Sequence, residues 1–150
     1  MEQAAGIFLI RKDNKLLIGH PTNGPENRWS IPKGRLEEGE YPTDAAIREM
    51  YEEANVDLKK WSILHNLDPV KYKNKDKILI PFVFFERQNN IDFDNFELKC
   101  NSNVSDELGG YPEMDDFMWV TLEEAEKLVY QSQIKCFSRI IELMSKLKYI

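Results

Sequence analysis

The chain of 150 residues is long enough to bury one substantial core and short enough that a second domain is not expected, since a domain of this size hides roughly 70% of the surface its unfolded chain exposes. A hydrophobic fraction of 42%, with 11% aromatic, argues against disorder, and a formal net charge of −6 argues against broad, salt-driven adhesion to nucleic acid or acidic membranes. An anionic ligand would need locally placed cations.

The apolar runs AAGIFLIR (4–11) and KLLIGHP (15–21) predict two strands of a hairpin joined by KDN, with Asn14 available for a positive φ. The amino terminus has an acid at position 2 and no small-residue cleavage site, so it reads as a first strand. No apolar stretch approaches the roughly 18 residues a membrane span requires. After a loop rich in Gly, Pro and Asn (21–27), RWSIPKG (28–34) predicts a short strand that Pro32 must end or hold at an edge. An acidic loop leads into a helix from Pro42 to Ala54, with Pro42 suited to its first position and Asn55 to the left-handed residue after its last turn. WSILHNL (61–67), VKYK (70–73) and ILIPFVFFER (78–87) predict strands, the last two linked by the turn-rich NKDK. Residues 88–116 predict a long polar loop, of a length that in compact domains is usually functional or mobile. FMWV (117–120) predicts a short strand, TLEEAEKLV (121–129) a segment opened by a capping box of Thr121 and Glu124, and IKCFSRIIELMSKL (134–147) a closing helix. Cys100 and Cys136 have no zinc-site spacing and are too few for a disulfide framework, which points to reduced thiols in a cytoplasmic protein.

Residues 34–56, GRLEEGEYPTDAAIREMYEEANV, hold seven acids in 23 positions. On a helix, Ala46, Ile47, Met50, Tyr51 and Ala54 fall on one arc, and Glu49, Glu52 and Glu53 on the adjoining one. Like charges three or four residues apart disfavour a helix by a few tenths of a kcal/mol each, and acids near its carboxy terminus also meet the negative end of the dipole. Arg48 can pair with Glu52, which leaves Glu49 and Glu53 largely uncompensated. A divalent cation would offset the rest. Clustered oxygen ligands without Cys or His favour Mg2+ or Mn2+ over zinc, while a solvated acidic face with surface ion pairs is the alternative this helix leaves open.

The same stretch resembles the Nudix box, G-x5-E-x7-R-E-U-x-E-E-x-G-U with U a bulky aliphatic residue. Gly34, Glu40, Arg48, Glu49, Met50, Glu52, Glu53 and Val56 match, and Asn55 stands where the family has glycine. WSIPKGRLEEGE and DDFMWVTLEEAEKL are similar to the family's lead-in and to its later strand and helix. The resemblance implies an α/β fold, an α/β/α sandwich around a mixed β-sheet with one domain over 1–150, and Mg2+-dependent hydrolysis of a nucleoside diphosphate linked to another group. It further implies that Glu49, Glu52 and Glu53 bind metal or activate water, with Glu53 the foremost ligand and Glu49 a candidate general base. The backbone carbonyl of Lys33 is a further implied ligand, and Arg48 and Glu40 would orient the carboxylates. Many members recruit an acid from a downstream loop, for which the candidates are Glu113, then Asp115, then Glu107, each also readable as a plain loop acid.

VKYKNKDK places Lys71, Lys73, Lys75 and Lys77 at period two beside Tyr72. These residues read either as a solvated hairpin guarded by lysines or as a phosphate clamp with an aromatic platform for a base. The segment resembles the tyrosine-plus-lysine hairpin of asymmetrically cleaving diadenosine tetraphosphate hydrolases, and REMYEEANV is similar to their box, asparagine included. The implied substrate contacts are Tyr72, Lys75 and Lys77 together with Lys33, with Phe117 a candidate for the second face of the base or a core aromatic. His20 and His65 read as structural or surface residues, and Trp29, Trp61 and Trp119 as packing. The expected activity is a nucleotide pyrophosphohydrolase, with dinucleoside polyphosphates leading. ADP-ribose and other nucleotide sugars, RNA 5' ends and a non-catalytic nucleotide-binding module are the alternatives, and the oligomeric state stays open.

Overall fold

Strand β1 (Glu2–Ile10) is buried on both faces from Ala4 onward, which only a strand in the middle of a covered sheet can be. In the computed structural model, which describes residues 1–59, 62–88 and 91–150, it runs through a mixed sheet of seven strands. Strand β2 (Leu16–Pro21) follows through a turn in which Asn14 takes the expected positive φ of 63°. The β1 strand meets β3 (Lys33–Arg35) antiparallel near its start, at Ala4 to Gly6, and β2 antiparallel at Ile10. On its other edge β6 (Lys77–Phe85) lies parallel along its full length, with Glu2 opposite Lys77 and Ile10 opposite Phe85. The short strands β4 (His65–Asn66) and β5 (Val70–Lys71) extend β6, and β7 (Met114–Val120) extends β2.

Alternation along the strands feeds two cores. Phe8, Ile10, Leu16 and Ile18 join Phe137, Ile140 and Met144 of α4 (Phe137–Lys146), where Phe8 meets Phe137 edge to face at 6.1 Å between ring centroids. Ala5, Ile7, Leu9 and Leu17 join Ala45, Ala46, Met50 and Ala54 of α1 (Pro42–Ala54). Each fully buried Ile or Leu contributes about 1.5–3 kcal/mol, so both helix layers are anchored by ordinary apolar burial and the expected α/β/α sandwich results.

Several elements differ from expectation for local reasons. Only the end of RWSIPKG joins the sheet: Trp29 and Ser30 form isolated bridges to Val129 and Gly19, and Pro32, which has no N–H, accepts from Ile7 at 3.3 Å just before β3 begins. The strand expected at 117–120 reaches back to Met114. The capping box does form, with Glu124 N–H on the Thr121 hydroxyl at 3.1 Å, but its helix is the single turn α2 (Leu122–Ala125). The closing helix is split into α3 (Gln131–Ile134) and α4. Residues 61–67 contribute only His65 and Asn66 to a strand, and Trp61 lies outside the described residues. Within 88–116, of which 89 and 90 lie outside that description, a 3-10 turn at Asp106–Leu108 and an antiparallel bridge between Asn103 and Pro112 give order to the expected loop.

The α1 helix keeps the boundaries read from the sequence, and Asn55 closes it at φ 66° with its N–H on the Tyr51 carbonyl at 2.9 Å. Its buried face is turned, however. Tyr51, expected on the apolar arc, is 47% exposed, whereas Glu49 and Glu53 are 8% and 5% exposed because β3 packs along their edge.

Candidate active site

The seating of β3 between β1 and α1 needs two glycines. A Cβ on Gly6 of β1 would stand 2.7 Å from the Lys33 Cβ, and one on Gly34 would overlap the Glu49 carboxylate. Gly34 thus lets the main chain lie directly against an acidic side chain. One residue earlier, the N–H of Lys33 donates to Glu53 Oε1 at 3.0 Å. The β3 backbone therefore touches both buried glutamates, one by a hydrogen bond and one by the lack of a side chain.

Arg48 fastens the rest of the acidic edge. Its Nε and Nη2 donate to the two oxygens of Glu40 at 2.9 Å each, a bidentate fit for a planar guanidinium. Its Nη1 donates to Glu49 at 2.8 Å and Glu52 at 3.1 Å, and Nη2 also reaches the Arg35 carbonyl at 2.9 Å. Arg48 therefore compensates Glu49 and Glu40 as well as the Glu52 partner expected from helical spacing. The bond from Arg48, with the Glu37 N–H at 2.9 Å, holds Glu40 below the usual carboxylate range, and the guanidinium stays charged.

Burial pushes the Glu53 carboxyl up to about 8, opposed by the Lys33 N–H and reinforced by the charges of Glu49 and Glu113. Glu49 is raised for the same leading reason, with Arg48 pulling down and Glu52 and Glu113 pushing up. Two desolvated carboxyl groups that repel each other and a third acid fit a hard divalent cation, which would favour their ionised forms. Among the described residues no three acidic, His or Cys side chains converge closely enough to share an ion as they stand, and Arg48 Nη1 joins Glu49 and Glu52. The fit lies in the donor chemistry of the edge.

Of the downstream acids, Glu113 is the one whose charge bears on both Glu49 and Glu53. Asp115 is engaged elsewhere, accepting from His20 Nδ1 at 2.7 Å, while His20 Nε2 lies 2.9 Å from the Pro25 carbonyl. Both ring nitrogens face acceptors, so the imidazole is raised above its ordinary value, chiefly by Asp115. Glu107 is exposed in the 3-10 turn.

The lysine hairpin comes to the same edge. Tyr72 closes the β5–β6 turn with its N–H on the Lys77 carbonyl at 2.9 Å, and Asn74 takes a φ of 65° at the tip. Its half-buried ring has Lys77 Nζ 5.0 Å and Lys33 Nζ 5.9 Å from the centroid, both within cation–π range. Burial lowers the Lys33 ammonium, which Glu53 and Glu49 support and Lys75 opposes, so one side chain reports on the hairpin and the carboxylates together. Lys75 is exposed at the tip, and Lys73 and the strand residue Lys71 are exposed as well. The Tyr72 hydroxyl is buried and makes no hydrogen bond of ordinary geometry to the described residues. Phe117, opposite Gly19 in β7, packs into the α1-side core. Sequence reasoning reached the Arg48–Glu52 pair, the orienting role of Arg48 and Glu40 and the departure at Asn55, but not the bond of Arg48 to the Arg35 carbonyl, the placing of the Lys33 side chain against Tyr72 or the side-chain partners of Asn55.

A mixed sheet between two helical layers, with a loop–helix edge of carboxylates held by one arginine, agrees with a class of pyrophosphohydrolases that act on phosphoanhydrides. The NUDIX domain model matches residues 2–140, and the chain belongs to that family. It is 24% identical over 149 residues to an RNA pyrophosphohydrolase of Pelagibacter ubique, covering 98% of this chain and 93% of that protein. It is 28% identical over 151 residues to an RNA pyrophosphohydrolase of Rickettsia rickettsii, covering 91% and 89%. A C. elegans Ap4A hydrolase superposes with a TM-score of 0.70 at 23% identity, over 97% of this chain and 99% of the other, a likeness of fold. No helix among the described residues is long and apolar enough to cross a membrane.

Proposed function

We propose that this chain is a divalent-cation-dependent nucleotide pyrophosphohydrolase whose leading substrates are dinucleoside polyphosphates. The observation that carries the reading is the position of Lys33, whose ammonium lies 5.9 Å from the Tyr72 ring and is supported by the charges of Glu53 and Glu49. A polyphosphate laid across that residue would meet lysines on one side and the carboxylate edge on the other. Glu49, Glu52, Glu53 and Glu113, with the Lys33 carbonyl, would hold Mg2+ or Mn2+. Such an ion, when bound, neutralises phosphate oxygens and makes water a better nucleophile at neutral pH.

This chain's own residues do the remaining work. Arg48, itself held by Glu40, fixes the Glu49 carboxylate at 2.8 Å, so that Glu49 can take a proton from a water placed beside it. Lys33, Lys75 and Lys77 carry the positive charge that an otherwise acidic protein needs to receive the phosphates. Tyr72 supplies an apolar ring beside those charges for a nucleobase, and Phe117 acts as a core residue. The free thiols Cys100 and Cys136 support a cytoplasmic setting.

The near-full-length relatives called RNA pyrophosphohydrolases favour a second reading, in which the substrate is a 5'-triphosphorylated RNA end. Purified protein with Mg2+ is to be given diadenosine tetraphosphate, ADP-ribose and a 5'-triphosphorylated oligoribonucleotide, with products identified. Cleavage of diadenosine tetraphosphate to ATP and AMP with the highest kcat/KM is expected. A higher value on the RNA end would replace the first reading with the second, and no turnover of any nucleotide would leave a binding module.

A further inference from the structure

The family motif has glycine where this chain has Asn55, and the backbone there does not call for a side chain. Glycine adopts a φ of 66° and ψ of 12° without strain and would close α1 equally well. The Asn55 amide instead reaches across the fold. Its Nδ2 donates to the Glu97 carbonyl at 3.1 Å, and its Oδ1 accepts from Asn101 Nδ2 at 2.9 Å. Asn101 adds a bond from Nδ2 to the Tyr51 carbonyl at 3.0 Å and one from its N–H to the Glu52 carbonyl at 2.6 Å. Those carbonyls belong to the last turn of α1, where the Glu52 oxygen takes the Asn101 N–H and the Tyr51 oxygen takes the Asn101 amide beside the capping N–H of Asn55. Residues 97–101 are thereby fastened across the end of the helix that carries Glu49, Glu52 and Glu53.

The fastening continues to the downstream acid. Ser102, next to Asn101, accepts the Glu113 N–H at 3.0 Å, and beyond it Val104 N–H donates to the Tyr111 carbonyl at 2.9 Å. Asn103 and Pro112 bridge between them, so the excursion through the 3-10 turn leaves and returns at one place. On the opposite side the Thr22 N–H donates to the Glu113 carbonyl at 3.0 Å. The Glu113 main chain is held by two neighbours, and one of them is tied to α1 by the Asn55–Asn101 pair.

We propose that Asn55 is a positioning residue: acting through Asn101 and Ser102, its side chain sets where Glu113 stands relative to Glu49 and Glu53. The inference rests on Glu113 being the downstream acid of the proposed site. It gives the departure from the motif a purpose that backbone geometry does not supply.

Asn55→Gly tests this cleanly, because it restores the family residue, keeps the left-handed cap and deletes only the amide. The expected result is a fall in kcat of about 10- to 100-fold, the usual effect of losing a group that orients a metal-site residue, with the nucleotide KM little changed. The Mg2+ concentration for half-maximal activity should rise, and amide exchange at Asn101 and Glu113 should quicken. Asn101→Ala should reproduce all of these effects. In a Glu113→Gln background, Asn55→Gly should add nothing. Wild-type kcat in Asn55→Gly, or a loss that adds in full to that of an impaired Glu113→Gln, would overturn the proposal. Full activity in Glu113→Gln itself, alongside an inactive Glu53→Gln, would instead remove Glu113 from the site and leave the hydrolase reading standing.

Discussion

Two helices cover the two faces of one sheet and use their buried surface in opposite ways. The α4 helix buries Phe137, Ile140 and Met144 and leaves its charges outside, where Arg139 and Glu142 pair at 2.8 Å in solvent. The α1 helix buries Ala45, Ala46, Met50 and Ala54 but adds Glu49 and Glu53 to the same interface. An exposed pair such as Arg139–Glu142 contributes about 0–1 kcal/mol, whereas a buried carboxyl either pays for desolvation or keeps its proton. The α4 helix stabilises the fold; α1 accepts a penalty by burying two carboxyl groups. Groups retained against their own stability are where chemistry is to be sought.

The largest expected effect comes from breaking the contrast at Glu53. Glu53→Gln should lower kcat by on the order of a thousandfold, a loss typical of removing a preorganised electrostatic group, while the metal-free protein becomes no less stable at neutral pH. Chemical denaturation of both proteins in EDTA, beside steady-state rates in Mg2+, checks the pair of outcomes; a large loss of stability with unchanged rate would make Glu53 a scaffold residue. Ile140→Ala on the other helix should do the reverse. It should cost about 2–5 kcal/mol of unfolding free energy through the cavity it opens, with kcat per folded molecule unchanged.

A smaller effect sharpens the contrast through pH. With Glu53 at about 8 in the fold and at an ordinary value when unfolded, the native state holds the extra proton between those limits, so its contribution to stability falls as pH rises towards 8. Glu40 works the other way: its lowered carboxyl stabilises the fold above the ordinary carboxylate value and loses that effect as pH falls through its folded pKa. On the proposed function Mg2+ would compete with the proton on Glu53, so the Mg2+-induced rise in Tm should be roughly 5–10 °C near saturation at about pH 8.5 and clearly smaller at about pH 6. Differential scanning calorimetry at the two values decides it, and an equal rise at both would detach the ion from these carboxyls.

Elements that depend on neighbours in sequence were legible in advance. Pro42 and Asn55 bracket α1, Asn14 makes its turn, and Thr121 and Glu124 form their box, each through contacts spanning a few residues. The alternation of β1 and β2 likewise places a core on each side of the sheet. What escaped depends on partners far along the chain. Tyr51 faces solvent because β3 claims the glutamate edge, and Lys33 meets Tyr72 only because β3 and β6 flank the same strand. The motif named the candidate acids, but it could not show that Asp115 is occupied by His20 while the charge of Glu113 bears on Glu49 and Glu53. Spacing identifies a helix face; the tertiary neighbour decides whether that face is wet.

The parallel pairing of β1 with β6 also bears on how the chain is made. Synthesis begins at the amino terminus, so Glu2–Ile10 leaves the ribosome well before its partner Lys77–Phe85 exists. In that interval β2 and β3 offer it pairing only at Ile10 and at Ala4 to Gly6, and the edge destined for β6 waits open along its length. The nascent protein thus carries the strand that will lie at the centre of its sheet with one full edge open until β6 has emerged.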